Sequence, residues 1–174
     1  RQNAGSVAEI SAHLLPLLDP PEHSRMRRLV SPLFKDQVMD RVVPVIPDLV
    51  EELLAPLEGE IEFMAQFASP LPALVVSELL GIPREARERV RGRAHEFFAI
   101  FAASRSQADQ NRLNQALREF RDYLEEILRL RLLRPRDDLL SLIAAEAELS
   151  LDEKCATCVL LFANGEETLG HLIG

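Results

Sequence analysis

Apolar residues recur along most of the chain at the three- and four-residue spacing of amphipathic helices. The clearest stripe lies over a polar opposite face and consists of Leu113, Leu117, Phe120, Leu124 and Ile127. No alternation of polar and apolar residues is long enough to build a sheet, and the best strand candidate, 60–63, is short. The pattern therefore predicts an all-α fold.

Proline, glycine and acidic caps mark the helix boundaries. The predicted helices cover about 19–30, a stretch from 36 or 39 to 58, 63–80, 84–103, a helix ending near 134, a short helix from 137, and a last helix from 151 onward. Asp19 is the expected cap of the first helix, and Gly81 ends the third. Ser150 and Glu153 form a capping box at the start of the last helix.

Length and charge exclude several classes of protein. The chain has 174 residues, which allows one domain, and 20 basic against 28 acidic side chains give a net charge of −8. This acidic balance argues against a general nucleic-acid binder. No apolar run approaches the roughly 18–20 residues of a membrane span. We expect neither a nucleic acid nor a membrane as partner.

The two cysteines, Cys155 and Cys158, lie three residues apart inside an apolar run. They do not form a disulfide framework, so a reduced, cytoplasmic protein is expected. Both are interpreted as small core residues. A metal or redox site is the less favoured alternative, because the usual flanking residues are absent.

The last helix contains a local conflict. Its first turns, 156–163, are almost wholly apolar, but the segment 164–168 then reads Asn-Gly-Glu-Glu-Thr. Helical spacing puts Leu160, Asn164 and Thr168 on one stripe, with Ala163 and Glu167 alongside. A glycine at position 165 costs about 1 kcal/mol against alanine in a helix interior, and it lets another group approach the backbone closely. The alternative is an ordinary kink with solvated glutamates.

A second candidate site lies on the first predicted helix. His23 and Arg27 are four residues apart and therefore share a face. A histidine and an arginine stacked in this way are well suited to hold a carboxylate. The alternative is a solvated basic face.

Three segments together resemble a cytochrome P450 of the soluble bacterial type. The stretch Asp-Pro-Pro-Glu-His-x-x-x-Arg at 19–27 resembles the C helix of that family, and 67–83 resembles its E helix and the following turn. The stretch Leu-Phe-Ala-Asn-Gly-Glu-Glu-Thr at 161–168 resembles the I helix, which takes part in oxygen activation. The order and spacing agree from the loop before helix C to the middle of helix I.

The resemblance implies a haem cofactor and assigns residues to it. His23 and Arg27 would hydrogen-bond the haem propionates. Glu167 and Thr168 match the acid–alcohol pair that delivers protons during oxygen activation. Asn164 and Gly165 match the small pair at the kink beside the oxygen site. Because the family usually has Ala or Gly where this chain has Asn164, we expect a narrower or more polar passage there.

The resemblance also locates a substrate pocket. It would draw on the loop 1–18, on the corner between helices F and G, and on helix I. The corresponding residues are Phe98, Phe101, Ala102, Leu160 and Ala163, for each of which the alternative is plain core packing. The aliphatic lining implies an apolar small-molecule substrate. The redox partner would be a ferredoxin or flavodoxin with its reductase, and Arg25 or Arg28 could help such an acidic partner to dock.

Parts of the family pattern are missing from this sequence. The cysteine that ligates haem iron, the Glu-x-x-Arg helix before it and the N-terminal sheet have no counterpart among 1–174. We therefore expect 1–174 to be a single incomplete domain, helices C to I, from the middle of a monooxygenase, and to be inactive alone. The alternatives are a haem-free P450-like module that recruits a partner, and an unrelated helical bundle.

Overall fold

The computed structural model describes residues 6–34, 36–97 and 106–173. Within these ranges the α-helices are α1 (Ser6–Ser11), α2 (Glu22–Val30), α3 (Asp36–Val42), α4 (Ile46–Leu54), α5 (Pro70–Leu80), α6 (Arg84–Phe97), α7 (Gln107–Leu133), α8 (Leu139–Ala145) and α9 (Leu151–Ile173). The same ranges contain no strand. The all-α prediction is confirmed.

Prolines divide two of the predicted helices. The stretch predicted from 36 to 58 is broken by a 3-10 turn at Val43–Val45, and α4 begins with Pro47 in its first turn, where the missing N–H costs nothing. The helix predicted over 63–80 begins as a π-helical turn at Met64–Ala68 before α5. α1 was not predicted, and the predicted end of α6 at 103 lies outside the described residues.

Two predicted helix ends are confirmed and one predicted cap is wrong. Gly81 ends α5 in the left-handed conformation, with φ +81°, and the N–H of Ile82 donates to the Ser77 carbonyl at 2.8 Å. Asp138 caps α8 by accepting the N–H of Ser141 at 2.8 Å. Asp19 does not cap α2, because Pro21 occupies the cap position and α2 has no side-chain cap bond.

α9 runs through the centre of the molecule, where it packs against α1, α5, α6, α7 and α8. The core around it is apolar, and Phe162 of α9 meets Phe120 of α7 edge to face with 6.4 Å between ring centroids. Cys155 and Cys158 are free thiols buried in this core, as predicted. No helix in the described part of the chain is both long and apolar enough to cross a membrane.

A buried ion pair joins three helices beside this core. The Nε of Arg131 on α7 donates to the Asp138 carboxylate at 2.6 Å, and its Nη2 donates to the Gly81 carbonyl at 2.7 Å. Arg131 is 5% exposed and the Asp138 side chain 8% exposed. The guanidinium thus ties the end of α5 and the start of α8 to α7.

Candidate cofactor site

A cavity of about 170 Å³ lies between α2 and α9. Its lining is mostly apolar and comes from both helices and from the turns that flank α2: Leu15, Arg27, Val30, Ser31, Phe34, Thr157, Leu160 and Leu161. Two residues predicted from the sequence, Arg27 and Leu160, meet here although they are far apart along the chain. The cavity therefore brings together the two segments that carried the functional prediction.

Of the predicted pair on α2, His23 and Arg27, one residue lines the cavity and the other does not. His23 is half-buried and Arg27 is exposed, and the two lie one turn apart on the same helix. Arg27 lines the cavity, whereas His23 is not among the lining residues. A guanidinium at the edge of an apolar cavity offers a charged hydrogen-bond donor to a carboxylate.

Arg25, between these two residues, is bound to the start of α9. Its Nη2 forms an ion pair with the Glu153 carboxylate, and its Nη1 donates to the Glu148 carbonyl at 3.2 Å. Both groups hold Arg25 within the chain, but its side chain is still 37% exposed, and its role in docking a redox partner stays a prediction. Arg28 is exposed.

The predicted capping box is confirmed. The Ser150 N–H donates to Glu153 Oε2 at 2.8 Å, and the Glu153 N–H donates to Ser150 Oγ at 3.3 Å. Burial alone would raise the pKa of Glu153, but the hydrogen bonds from the Ser150 backbone and from Arg25 outweigh it and lower that pKa. The carboxylate is therefore kept ionised beside Arg25.

Of the predicted stripe on α9, Leu160 lines the cavity. Leu160 is half-buried and Asn164, one turn later, is exposed. Ala163, by contrast, has no exposed surface and belongs to the central core. This burial agrees with the alternative of plain core packing, and the assignment of Ala163 to the substrate pocket stays a prediction.

Gly165 allows α5 to approach α9 closely. A Cβ built on Gly165 would overlap the Cγ2 methyl of Val76 on α5. The sequence predicted a close approach at this glycine, and the structure identifies Val76 as the group that makes it. The role of Gly165 beside an oxygen site stays a prediction.

Several predicted site residues lie outside the described parts of the structure. Phe98, Phe101 and Ala102 fall in the segment 98–105, which is not described. Glu167 and Thr168 fall on α9, but their side chains are not described. The predictions for these five residues remain as the sequence made them.

The cysteines are not placed to bind a metal at this cavity. Burial raises the pKa of Cys155 to about 12 and raises that of Cys158 as well. Neither lines the cavity, and both pack into the core on another side of α9. Among the described residues, no group of three His, Cys, Asp or Glu side chains is arranged to hold a metal ion.

Sequence reasoning missed several lining residues. Thr157 lies three residues before Leu160, so extending the Leu160–Asn164 stripe by one turn would have found it, and Leu161 lies beside this stripe, three residues before Asn164. Phe34 lies in the turn after α2 and Leu15 in a turn before it. No periodic pattern marks these two positions, because they reach the cavity only through the packing of the turns.

Curated relatives of the chain are cytochrome P450s. The polyketide biosynthesis cytochrome P450 PksS of Bacillus subtilis is 36% identical over 171 residues, which cover 95% of this chain and 41% of that protein. The vitamin D(3) 25-hydroxylase of Pseudonocardia autotrophica is 33% identical over 165 residues, which cover 91% of this chain and 39% of that protein. No family model matches the chain.

Solved structures agree with the sequence matches. P450BioI, in complex with an acyl carrier protein that bears hexadec-9Z-enoic acid, is 26% identical with a TM-score of 0.88, and the match covers 99% of this chain and 46% of that one. The structure of Bacillus subtilis PksS is 34% identical with a TM-score of 0.82, and the match covers 99% of this chain and 44% of that one. The chain thus spans about two fifths of the length of its curated relatives. In sequence and in fold, it belongs to the cytochrome P450 family.

Proposed function

We propose that this chain is the central helical part of a haem-thiolate monooxygenase, which inserts one oxygen atom of O2 into an apolar small molecule. The observation that carries the proposal is the cavity between α2 and α9, where Arg27 and Leu160 line the same space. Membership of the cytochrome P450 family supports it. P450s hold their haem iron through a cysteine thiolate.

The lining of the cavity fits part of a haem. Haem has a wide apolar ring and two anionic propionates, and the cavity offers aliphatic and aromatic side chains together with one guanidinium. Arg27 would hold a propionate by a charge-assisted hydrogen bond, and His23, one turn earlier on α2, would assist it. When bound, haem supplies the oxygen chemistry, and the protein supplies orientation and protons.

Glu167 and Thr168 are proposed to move protons toward the oxygen site. The acid exchanges protons with solvent, and the neighbouring hydroxyl passes them on. Asn164, exposed one turn before Thr168, adds an amide that can hydrogen-bond water along the same stripe. A proton path along α9 is therefore part of the proposed mechanism.

The iron ligand is proposed to come from outside these 174 residues. Cys155 and Cys158 have strongly raised pKa values and pack into the core, so neither supplies a thiolate. The chain alone would then lack the axial ligand, and we expect it to be inactive by itself.

The proposed contact residues and two of the similar proteins both support an apolar substrate. Phe98, Phe101, Ala102 and Leu160 are the proposed contacts, and all four are apolar. One similar structure carries a long-chain fatty acid on an acyl carrier protein, and one relative is named for the hydroxylation of vitamin D(3). We propose a ferredoxin or flavodoxin with its reductase as electron donor, and a cytoplasmic location.

An isotope experiment tests this function directly. The natural protein, which on this proposal carries the iron ligand outside these 174 residues, is loaded with haem and incubated with a ferredoxin, its reductase, reduced nicotinamide cofactor, a long-chain fatty acid and ¹⁸O₂. We expect a hydroxylated product that contains one ¹⁸O atom. Product oxygen derived from water would contradict a monooxygenase. A protein that acquires no haem under any loading condition would favour the haem-free module instead.

A further inference from the structure

We infer that Arg25 and Glu153 are a positioning pair that holds α2 at a fixed distance from α9 and thereby keeps Arg27 in place at the cofactor cavity. The identity of the ligand in this inference rests on the proposed function. The pair itself is a feature of the described residues and does not depend on that identity.

The contacts of Arg25 fix an orientation as well as a distance. One arm of its guanidinium pairs with the Glu153 carboxylate on α9, and the other donates to the Glu148 carbonyl in the preceding turn at 3.2 Å. A planar guanidinium that meets two acceptors has little freedom to rotate. The Glu153 side chain is 11% exposed and that of Arg25 is 37% exposed, so the carboxylate is shielded from solvent while the guanidinium is partly exposed.

Glu153 is itself held rigidly. Its second carboxylate oxygen accepts the Ser150 N–H at 2.8 Å within the capping box. Arg25 is therefore anchored to the first turn of α9 and not to a mobile surface side chain.

The pair lies close to both walls of the cavity. Arg27 follows Arg25 by two residues on α2, and Thr157 follows Glu153 by one turn on α9. The Thr157 hydroxyl donates to the Glu153 carbonyl at 2.7 Å, and Thr157 lines the cavity. Both walls of the cavity therefore contain a residue within about one helical turn of the Arg25–Glu153 pair, and a shift of the pair would move both of these residues.

The apolar cluster near the Arg25–Glu153 pair is small. Met26, Leu29 and Val30 of α2 form a separate buried cluster with Leu149, next to the start of α9. The hydrophobic effect that drives this burial is non-directional. The contacts of Arg25 add directional restraints to the packing of α2.

The test measures haem retention in the haem-loaded natural protein, in which the proposed axial cysteine lies outside these 174 residues. Arg25→Met keeps much of the side-chain length and removes the donors, and haem loss to an excess of a haem-scavenging apoprotein is followed by the Soret band. We expect the loss rate to rise by about tenfold, the lower end of what is typical when a residue supporting a metal site is removed. Arg25→Lys keeps the charge and should restore part of the retention. Arg112→Met, which breaks an exposed ion pair with Asp109 on α7, is the matched control and should leave the rate unchanged.

The same measurement in a variant that already carries Arg27→Met distinguishes positioning of Arg27 from a general loss of stability. When Arg27→Met has already removed the guanidinium at the cavity, Arg25→Met should add less than about twofold to the loss rate, because the two effects are coupled. The thermal unfolding midpoint of the haem-free protein should still fall by the same amount in both backgrounds. An equal rise in haem loss in both backgrounds, or no rise in either, would overturn the inference. If the unsubstituted protein takes up no haem, the proposed function itself fails.

Discussion

The Cγ2 methyl of Val76 on α5 occupies the space that a side chain at position 165 of α9 would require. The two helices can therefore approach each other closely only because residue 165 is a glycine. α9 carries the proposed proton path and one wall of the cavity, so this contact helps to set the position of both.

Gly165→Ala tests that contact. Alanine gains about 1 kcal/mol of helix propensity, but overpacking against Val76 costs typically 1–3 kcal/mol. We expect net destabilisation in urea unfolding. In a Val76→Ala background the methyl has room, so the same substitution should become neutral or stabilising. An identical loss of stability in both backgrounds would show that Val76 is not the obstacle.

Arg131→Met tests the buried ion pair that joins α5, α7 and α8. Removing Arg131 leaves the buried Asp138 carboxylate with its Ser141 hydrogen bonds but without a cationic partner, and breaking a buried ion pair typically costs about 3–5 kcal/mol. The measurement is the free energy of unfolding in urea. Arg112→Met removes an exposed pair with Asp109 and should have little effect on unfolding. Equal effects of the two substitutions would contradict the structural role of Arg131.

Glu153 should contribute to acid sensitivity. Its pKa is lowered below the ordinary value of 4.5, so its contribution to stability is present above that value and is lost as the pH falls through the lowered pKa. Glu153→Gln retains a capping acceptor but does not titrate. Its unfolding midpoint should therefore depend less steeply on pH below about 4.5 than that of the unsubstituted protein. Parallel pH profiles of the two proteins would refute this.

The two thiols should be unreactive in the folded state. Burial raises the pKa of Cys155 to about 12 and also raises that of Cys158, so neither forms a thiolate near neutral pH. A thiol-specific dye at pH 8 should label neither cysteine in native protein and both after denaturation. Rapid labelling of one native cysteine would reveal a reactive site that the structure does not show.

Local signals in the sequence predicted local structure well. The Ser150–Glu153 capping box, the glycine that ends α5 and the acidic start of α8 all depend on neighbouring residues, and all three are confirmed. The stretch from 36 or 39 to 58 was predicted as one helix whose first half is disturbed by Pro44 and Pro47. The 3-10 turn at Val43–Val45, which divides it into α3 and α4, was not predicted.

Contacts between residues on different helices could not be predicted from neighbouring residues in the sequence. Arg25 was considered available for a partner, because nothing in its neighbourhood marks Glu153 as the group that binds it. The pairing of Arg131 with Asp138 and Gly81 likewise appears only when α5, α7 and α8 are packed together. Helical spacing likewise gives the angular position of Ala163 on α9 but does not indicate that other helices of this chain bury it.

The most direct test of the account is an absorption spectrum of the natural protein, reduced and treated with carbon monoxide, together with the intact mass of the same sample. A haem-thiolate monooxygenase should show a red-shifted Soret band of the thiolate type in a sample heavier than the 19.6 kDa of these residues. A sample of that greater mass that has been loaded with haem and still lacks this band would contradict the assignment to a haem-thiolate monooxygenase.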